Sequence, residues 1–162
     1  MTHTYLLALG SNQRHAELGN PRQVVAAAME ELAALGTVSA RSPVVDSAPV
    51  GPSLRRYANA ALVLETDRWP PALLAVLQAM EHDFGRRRRG QRWGARVLDL
   101  DIVLWSGGEW QTHGLAIPHP QFRHRAFVLR PGAVVAGDWR DPVSGLTLRH
   151  LAARLDRTGR LA

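Results

Sequence analysis

Residues 57–80 read YANAALVLETDRWPPALLAVLQAM, and this stretch sets the fold. Tyr57 to Thr66 is an apolar run bounded by polar Asp67-Arg68, the pattern of a strand entering a turn. Pro70-Pro71 then opens a helix, because proline's missing N–H costs nothing in a first turn. Leu73, Leu74, Leu77 and Met80 give that helix one apolar stripe. Upstream, Thr4 to Leu9 (TYLLAL) reads as a buried strand stopped by Gly10-Ser11-Asn12. Asn20 is placed to cap a helix with Pro21 in its first turn, and Val24, Ala28, Leu32 and Leu35 keep helical spacing until Gly36. Val38 to Val45 reads as a strand, and Ala48-Pro49-Val50-Gly51-Pro52 as a loop. Downstream, Asp99 to Trp105 is a strand turned by Gly107-Gly108, and Pro118-His119-Pro120 is a loop. Phe127 to Leu129 reads as a short strand, and Leu146 to Leu155 as a closing helix.

The order strand, helix, strand, strand, helix, strand predicts an α+β protein of ferredoxin-like, split βαβ type. Its sheet should be antiparallel, with the helices on one face. The sequence contains no internal repeat or linker, so residues 1–162 read as one domain.

With 162 residues and 46% hydrophobic side chains, the chain suffices for one real core. No apolar run approaches the ~18 residues of a membrane span, and MTHTYLLALGSN lacks the basic lead of a secretory signal. The absence of cysteine excludes disulfides, thiolate catalysis and Cys-ligated metals. Every basic residue other than histidine is arginine, which excludes Schiff-base lysine chemistry and a P-loop lysine. A cytoplasmic monomer that binds neither membrane nor nucleic acid is the expectation.

The charge is concentrated. Arg86, Arg87, Arg88, Arg89, Arg92 and Arg96 fall in one segment without an acid, and the other 14 basic residues balance 14 Asp+Glu, so this segment carries the formal charge of +6. Gly85, Gly90 and Gly94 make it a loop rather than a helical extension. Arginine forks match phosphate oxygens. Directly after come Asp99 and Asp101, two apart on a strand and therefore on one face, with Leu98, Leu100, Ile102 and Leu104 expected on the other. Paired carboxylates repel unless a cation lies between them, and hard oxygen ligands suit Mg²⁺ shared with substrate phosphates. A basic loop beside such a pair can close over a polyphosphate. Read without that context, the same residues are a solvated arginine loop and an exposed strand face. Trp93 is placed either to stack on a ring or to anchor the loop.

Tyr57 and Asn59 alternate on one strand face, an aromatic to stack and an amide to pair with a heterocycle. Arg125 and Phe127 repeat the charge-and-ring pairing, and His119 sits rigidly between two prolines.

Four pieces together resemble the 6-hydroxymethyl-7,8-dihydropterin pyrophosphokinase (HPPK) family of folate biosynthesis: LALGSN (7–12), YANAALVLET (57–66), MEHDFGRRRRGQRWGARVLDLDIVLW (80–105) and LAIPHPQFRHRAFVLRP (115–131). They follow the family's order and spacing, and the third is the most specific. The resemblance implies a three-layer α/β variant of the ferredoxin-like arrangement. It implies transfer of the β,γ-diphosphoryl group of ATP to a dihydropterin's hydroxymethyl oxygen, with AMP released. It makes Asp99 and Asp101 ligands of two Mg²⁺ ions, and Arg86 and Arg96 mobile catalytic arginines. It places Glu81, Arg88, Arg92, Trp93, His119 and Arg125 against ATP, and Gly51, Tyr57, Asn59 and Phe127 against the pterin. The chain departs from the family between Gly51 and Tyr57, where the loop is short, and after Leu129, where Pro131-Gly132-Ala133 replaces the usual continuation.

Two other classes fit less of the sequence. A nucleotidyltransferase also uses a Gly-Ser turn and an Asp-x-Asp strand, but there the turn lies close before the acids, whereas Gly10-Ser11 and Asp99 are far apart in this chain. A nucleic-acid-binding module explains the arginines but not the acids that follow them, and the balanced remainder offers no basic track for a backbone.

Overall fold

The computed structural model describes residues 1–47, 56–85 and 97–158. Seven strands and four α-helices follow in the order β1 (His3–Ser11), α1 (Pro21–Leu32), β2 (Thr37–Arg41), β3 (Val45–Ser47), β4 (Tyr57–Thr66), α2 (Pro70–Gly85), β5 (Asp99–Trp105), β6 (Trp110–Thr112), β7 (Leu115–Ile117), α3 (Ala126–Ala136) and α4 (Leu148–Arg157). The main sheet is antiparallel in the order β2-β4-β1-β5, with β3 also paired to β4. That is the split βαβ topology expected from the element order.

Local chemistry sets the helix ends. Asn20 Oδ1 accepts from the Gln23 N–H at 3.0 Å while Gln23 Oε1 accepts from the Asn20 N–H at 2.9 Å, a reciprocal cap that starts α1. After α1 and a 3-10 turn at Ala33–Leu35, Gly36 passes so close to β4 that a Cβ there would lie 2.0 Å from the Glu65 carbonyl oxygen.

The helices occupy both faces of the sheet, not one. Tyr5, Leu7 and Leu9 of β1, with Ala58, Ala60, Leu62 and Leu64 of β4, pack against Val24, Ala28 and Leu32 of α1 and Leu73 and Leu77 of α2. Leu6 and Ala8, with Ala61 and Val63, face Val128 and Leu129 of α3 and Leu148, Leu151 and Leu155 of α4. Period-two alternation thus gives the central strands two buried faces, the three-layer arrangement that the family resemblance implies. The second face is closed by α3, where the sequence suggested a strand at Phe127–Leu129. Val128, Leu129 and Gly132 are buried at helical spacing, and this packing overrides the strand propensity of a short Phe-Val-Leu run.

Two further expectations are corrected. Val38–Val45 is broken in two: Ser42 leaves the strand path, its Oγ accepting from the Ala61 N–H at 2.9 Å, and Pro43 has no N–H to continue the ladder. Leu104 does not share a face with Leu100 and Ile102. A register shift at Leu6/Leu7 sends Val103 and Leu104 together into the second core and Trp105 into the first. The hairpin β6–β7, turned by His113-Gly114 with Gly114 at φ +88°, had no counterpart in the sequence reading. Among the described residues no helix is long and apolar enough to cross a membrane.

Candidate active site

Sheet register brings the candidate residues together. Across the face that α3 and α4 partly cover, Gly10 pairs with both Asn59 and Asp99, and Ala8 with both Ala61 and Asp101. The centre of each row is small, so the floor between the amide and the carboxylates is low. A cleft of about 360 Å³ opens there, lined by Ala8, Gly10, Tyr57, Asn59, Asp99, Asp101, Arg125 and Phe127 among others. Tyr57 and Phe127 give it two rings, and Asn59 gives it one amide that is only 4% exposed.

Arg125 and Phe127 reach this cleft from a helix, not from a strand. Arg125 is the residue capping α3, with φ −113° and ψ 106°, and Phe127 lies in the first turn. The Arg125 guanidinium lies 5.6 Å from the Phe127 ring centroid. The first turn of α3 carries no acid, so its positive dipole end is left to face the cleft.

A second cleft, about 700 Å³, shares Asp99, Asp101 and Arg125 with the first and extends past Leu74, Gln78 and Glu81 of α2 to His119 and the β6–β7 hairpin. Glu81 Oε2 accepts from the Leu100 N–H at 2.8 Å. Leu100 lies between the two aspartates on β5, whose paired strand in the sheet is β1, so Glu81 holds the other edge. His119 is fixed by its backbone N–H donating to Val103 O at 3.0 Å and by Nδ1 accepting from the Gln121 N–H at 3.1 Å. Accepting at Nδ1 leaves the proton on Nε2, which lies 4.0 Å from Asp101 Oδ2. Burial pushes the His119 pKa below its usual value, and Arg125 adds to this against the opposing pull of Asp101. The imidazole is therefore neutral at neutral pH.

Asp99 and Asp101 are set at the seam of the two clefts. Among the described residues no group of three or more His, Cys, Asp and Glu forms a protein-only metal cage. The donor set fits Mg²⁺, which takes one or two carboxylates and completes its shell with phosphate and water.

Of the residues singled out by sequence, Tyr57, Asn59, Asp99, Asp101, Arg125 and Phe127 line the first cleft, and Glu81, His119, Asp99, Asp101 and Arg125 line the second. Gly51, Arg86, Arg88, Arg92, Trp93 and Arg96 lie outside the described residues. Sequence reasoning missed Gln78, Gln111, Thr112, Leu115 and Ala116, which line the second cleft. Gln78 had a signal, since it precedes Glu81 by one helical step of three on α2. Leu115 and Ala116 open the fourth family-like piece, whereas Gln111 and Thr112 had no signal beyond the His113-Gly114 turn.

Residues 6–137 match the family model described as 7,8-dihydro-6-hydroxymethylpterin-pyrophosphokinase (HPPK). The chain belongs to this family. The 2-amino-4-hydroxy-6-hydroxymethyldihydropteridine pyrophosphokinase of Methylorubrum extorquens is 38% identical over 162 residues, covering 98% of this chain and 97% of that one. The same-named protein of Pseudomonas aeruginosa is 39% identical over 145 residues, covering 88% and 86%. That of Synechocystis sp. is 43% identical over 108 residues, where the match spans 67% of this chain and about half, 55%, of the relative. The HPPK-DHPS chain of Plasmodium falciparum, crystallised with pteroate, shares the fold at a TM-score of 0.72 with 14% identity, over 98% of this chain and 44% of that one. Family membership makes the protein an enzyme of the pyrophosphokinase class.

Proposed function

We propose that the protein transfers the β,γ-diphosphoryl group of ATP to the hydroxymethyl oxygen of 6-hydroxymethyl-7,8-dihydropterin, in folate biosynthesis. The observation that carries this reading is one carboxylate pair shared by two clefts: one with two rings and a buried amide, the other polar and larger. The first suits a flat polar heterocycle, with Tyr57 and Phe127 against its faces and Asn59 at its edge. The second suits a nucleotide whose phosphates run toward Asp99, Asp101, His119 and Arg125.

In the reaction the hydroxymethyl oxygen forms a bond to the β-phosphorus, the bond from that phosphorus to the α,β-bridging oxygen breaks, and AMP leaves with the bridging oxygen. The hydroxyl proton passes to solvent. Such a transfer needs alignment and charge neutralisation more than covalent catalysis. Mg²⁺, bound as two ions by Asp99 and Asp101, would neutralise phosphate charge and order the reacting oxygens. Arg125, paired with the Phe127 ring, bridges the two clefts and supplies positive charge where they meet. His119 donates from Nε2 toward phosphate oxygens. Glu81 holds β5 so that both aspartates keep their aim. Arg86 and Arg96 would act as the catalytic arginines, with Arg88, Arg92 and Trp93 assigned to ATP and Gly51 to the pterin.

The test is product formation from ATP, Mg²⁺ and the dihydropterin. Equal amounts of AMP and pterin diphosphate are expected. ADP in place of AMP, or no pterin product although ATP binds, overturns the assignment of the reaction or of the acceptor respectively.

A further inference from the structure

Asp141 has no part in either cleft, yet its carboxylate accepts four hydrogen bonds. It is fully buried. Arg123 Nε donates to Oδ2 at 2.6 Å and Arg123 Nη2 to Oδ1 at 2.7 Å. The Val143 N–H donates to Oδ1 at 3.0 Å and Ser144 Oγ to Oδ2 at 2.7 Å. Asp141 follows α3, and Arg123 precedes it. The pair therefore straps the helix between its two flanking segments.

The segment held at the front end carries the site. His119 O accepts from the Phe122 N–H at 3.3 Å, Phe122 O from the Arg125 N–H at 3.2 Å, and Arg125 O from the Val128 and Leu129 N–H groups at 3.0 and 2.9 Å. Residues 119–129 are thus one hydrogen-bonded unit. Phe122 is wholly buried within it, and the Arg123 guanidinium lies 4.7 Å from the Phe122 ring centroid. His119, Arg125 and Phe127 project from this unit into the two clefts.

We propose that the partly buried Arg123–Asp141 pair is a positioning device, through which the loop after α3 fixes the turn that presents His119, Arg125 and Phe127 to the nucleotide and the heterocycle. This rests on reading the two clefts as those two binding sites. A two-bonded guanidinium fork restrains orientation as well as distance. Apolar pairs of similar volume often replace a buried ion pair without loss of stability. Geometry, rather than stability, is what such a pair supplies that they do not.

The test compares wild type, Asp141→Asn, and the double variant Arg123→Met/Asp141→Leu. The single variant should melt lower, since it leaves a partly buried guanidinium without its anion. The double variant should regain part of the melting temperature, because it removes the unpaired charge while Val143 N–H and Ser144 Oγ still lose their acceptor. It should still bind Mg²⁺ with a non-hydrolysable ATP analogue at least 10-fold more weakly, and raise KM for ATP and dihydropterin more than it lowers kcat. Amide exchange at residues 121–129 should quicken at least 10-fold in the double variant, with α4 unchanged. A double variant with wild-type melting, exchange and analogue affinity within twofold overturns the proposal. If the double variant does not fold, Arg123→Lys decides, because it keeps the charge and loses the fork. KM values raised fivefold or more at near-normal melting support positioning, and wild-type KM values overturn it. A wild type that makes no pterin product sinks the assigned reaction instead, and analogue binding and exchange still judge the strap.

Discussion

Gly10→Ala isolates what the low floor of the first cleft does. Gly10 is a strand residue without a positive φ, so alanine fits the backbone and by itself stabilises by about 0.4–1 kcal/mol through the unfolded chain. The added Cβ would lie 3.1 Å from Asn59 Nδ2 and 3.8 Å from Ala58 O. Asn59 is only 4% exposed, so its amide has little room and must give by a few tenths of an ångström. An off-rotamer shift costs about 0.5–1.5 kcal/mol, and the two terms nearly cancel. The melting temperature should move by less than about 4 °C. Ligand recognition is not cushioned in this way. An amide moved off its partner on a buried heterocycle edge costs about 1–3 kcal/mol, or roughly 5- to 150-fold in affinity. Gly10 does not line the nucleotide cleft, so nucleotide affinity should stay within twofold. Titration calorimetry with the dihydropterin and, separately, with Mg²⁺ and an ATP analogue checks this. Equal losses for both ligands, or an unchanged pterin affinity, would refute the idea that Asn59 reads the heterocycle edge over a glycine floor.

Asp99→Asn and Asp101→Asn should each lower kcat by at least about 10²-fold, the scale of losing one preorganised electrostatic stabiliser, with melting temperatures at or above wild type. A steady-state assay beside a thermal melt checks both halves. Glu81→Gln should keep most activity, because an amide oxygen can still accept from the Leu100 N–H. Glu81→Ala should cost about 1–3 kcal/mol of stability by leaving that N–H unpaired, and denaturant melts of the two variants separate the roles. The Arg123 hydrogen bonds, with those from Ser144 and Val143, overcome burial and hold the Asp141 carboxyl down to about 2 from an ordinary 3.8. Its stabilisation is present above pH ~4 and is lost as pH falls toward 2. Asp141→Asn should therefore lose roughly 2 kcal/mol at pH 7 and converge on wild type in acid melts.

Much of this was legible in the chain because it depends on local periods. The strands at Thr4–Leu9 and Tyr57–Thr66, the Asn20-Pro21 helix start and the Pro70 helix are short-range signals, and so is the i, i+2 spacing that puts Asp99 and Asp101 on one face, whereas helices on the second face of the sheet were not foreseen from the element order. Where the reading failed, long-range packing had decided. Phe127–Leu129 is helical because Leu6 and Leu148 lie beside the path of Gly132, a contact no local pattern contains. The split at Ser42 depends on an Ala61 N–H nineteen residues away. Val103 and Leu104 share a face because of a register shift against β1, and register belongs to two strands at once. The Arg123–Asp141 strap was invisible for the same reason: an arginine and an aspartate 18 apart become a pair only after α3 has formed between them.

The same shift explains how one strand serves both the core and the site. Upstream of it, Leu100 and Ile102 enter the first core while Asp99 and Asp101 face the open end of the other layer. Downstream, Val103 and Leu104 fill the second core beside Val128 and Leu129. Strict alternation would have placed Trp105 rather than Leu104 beside Val103 in that core and sent Leu104 to the first. Leu6 lies beside Gly132 of α3, and the first turn of that helix brings Phe127 to the cleft that Gly10, Asn59 and Asp99 line. The helix that seals the core at one end is therefore the wall of the cleft at the other. Stability and site geometry are coupled through α3.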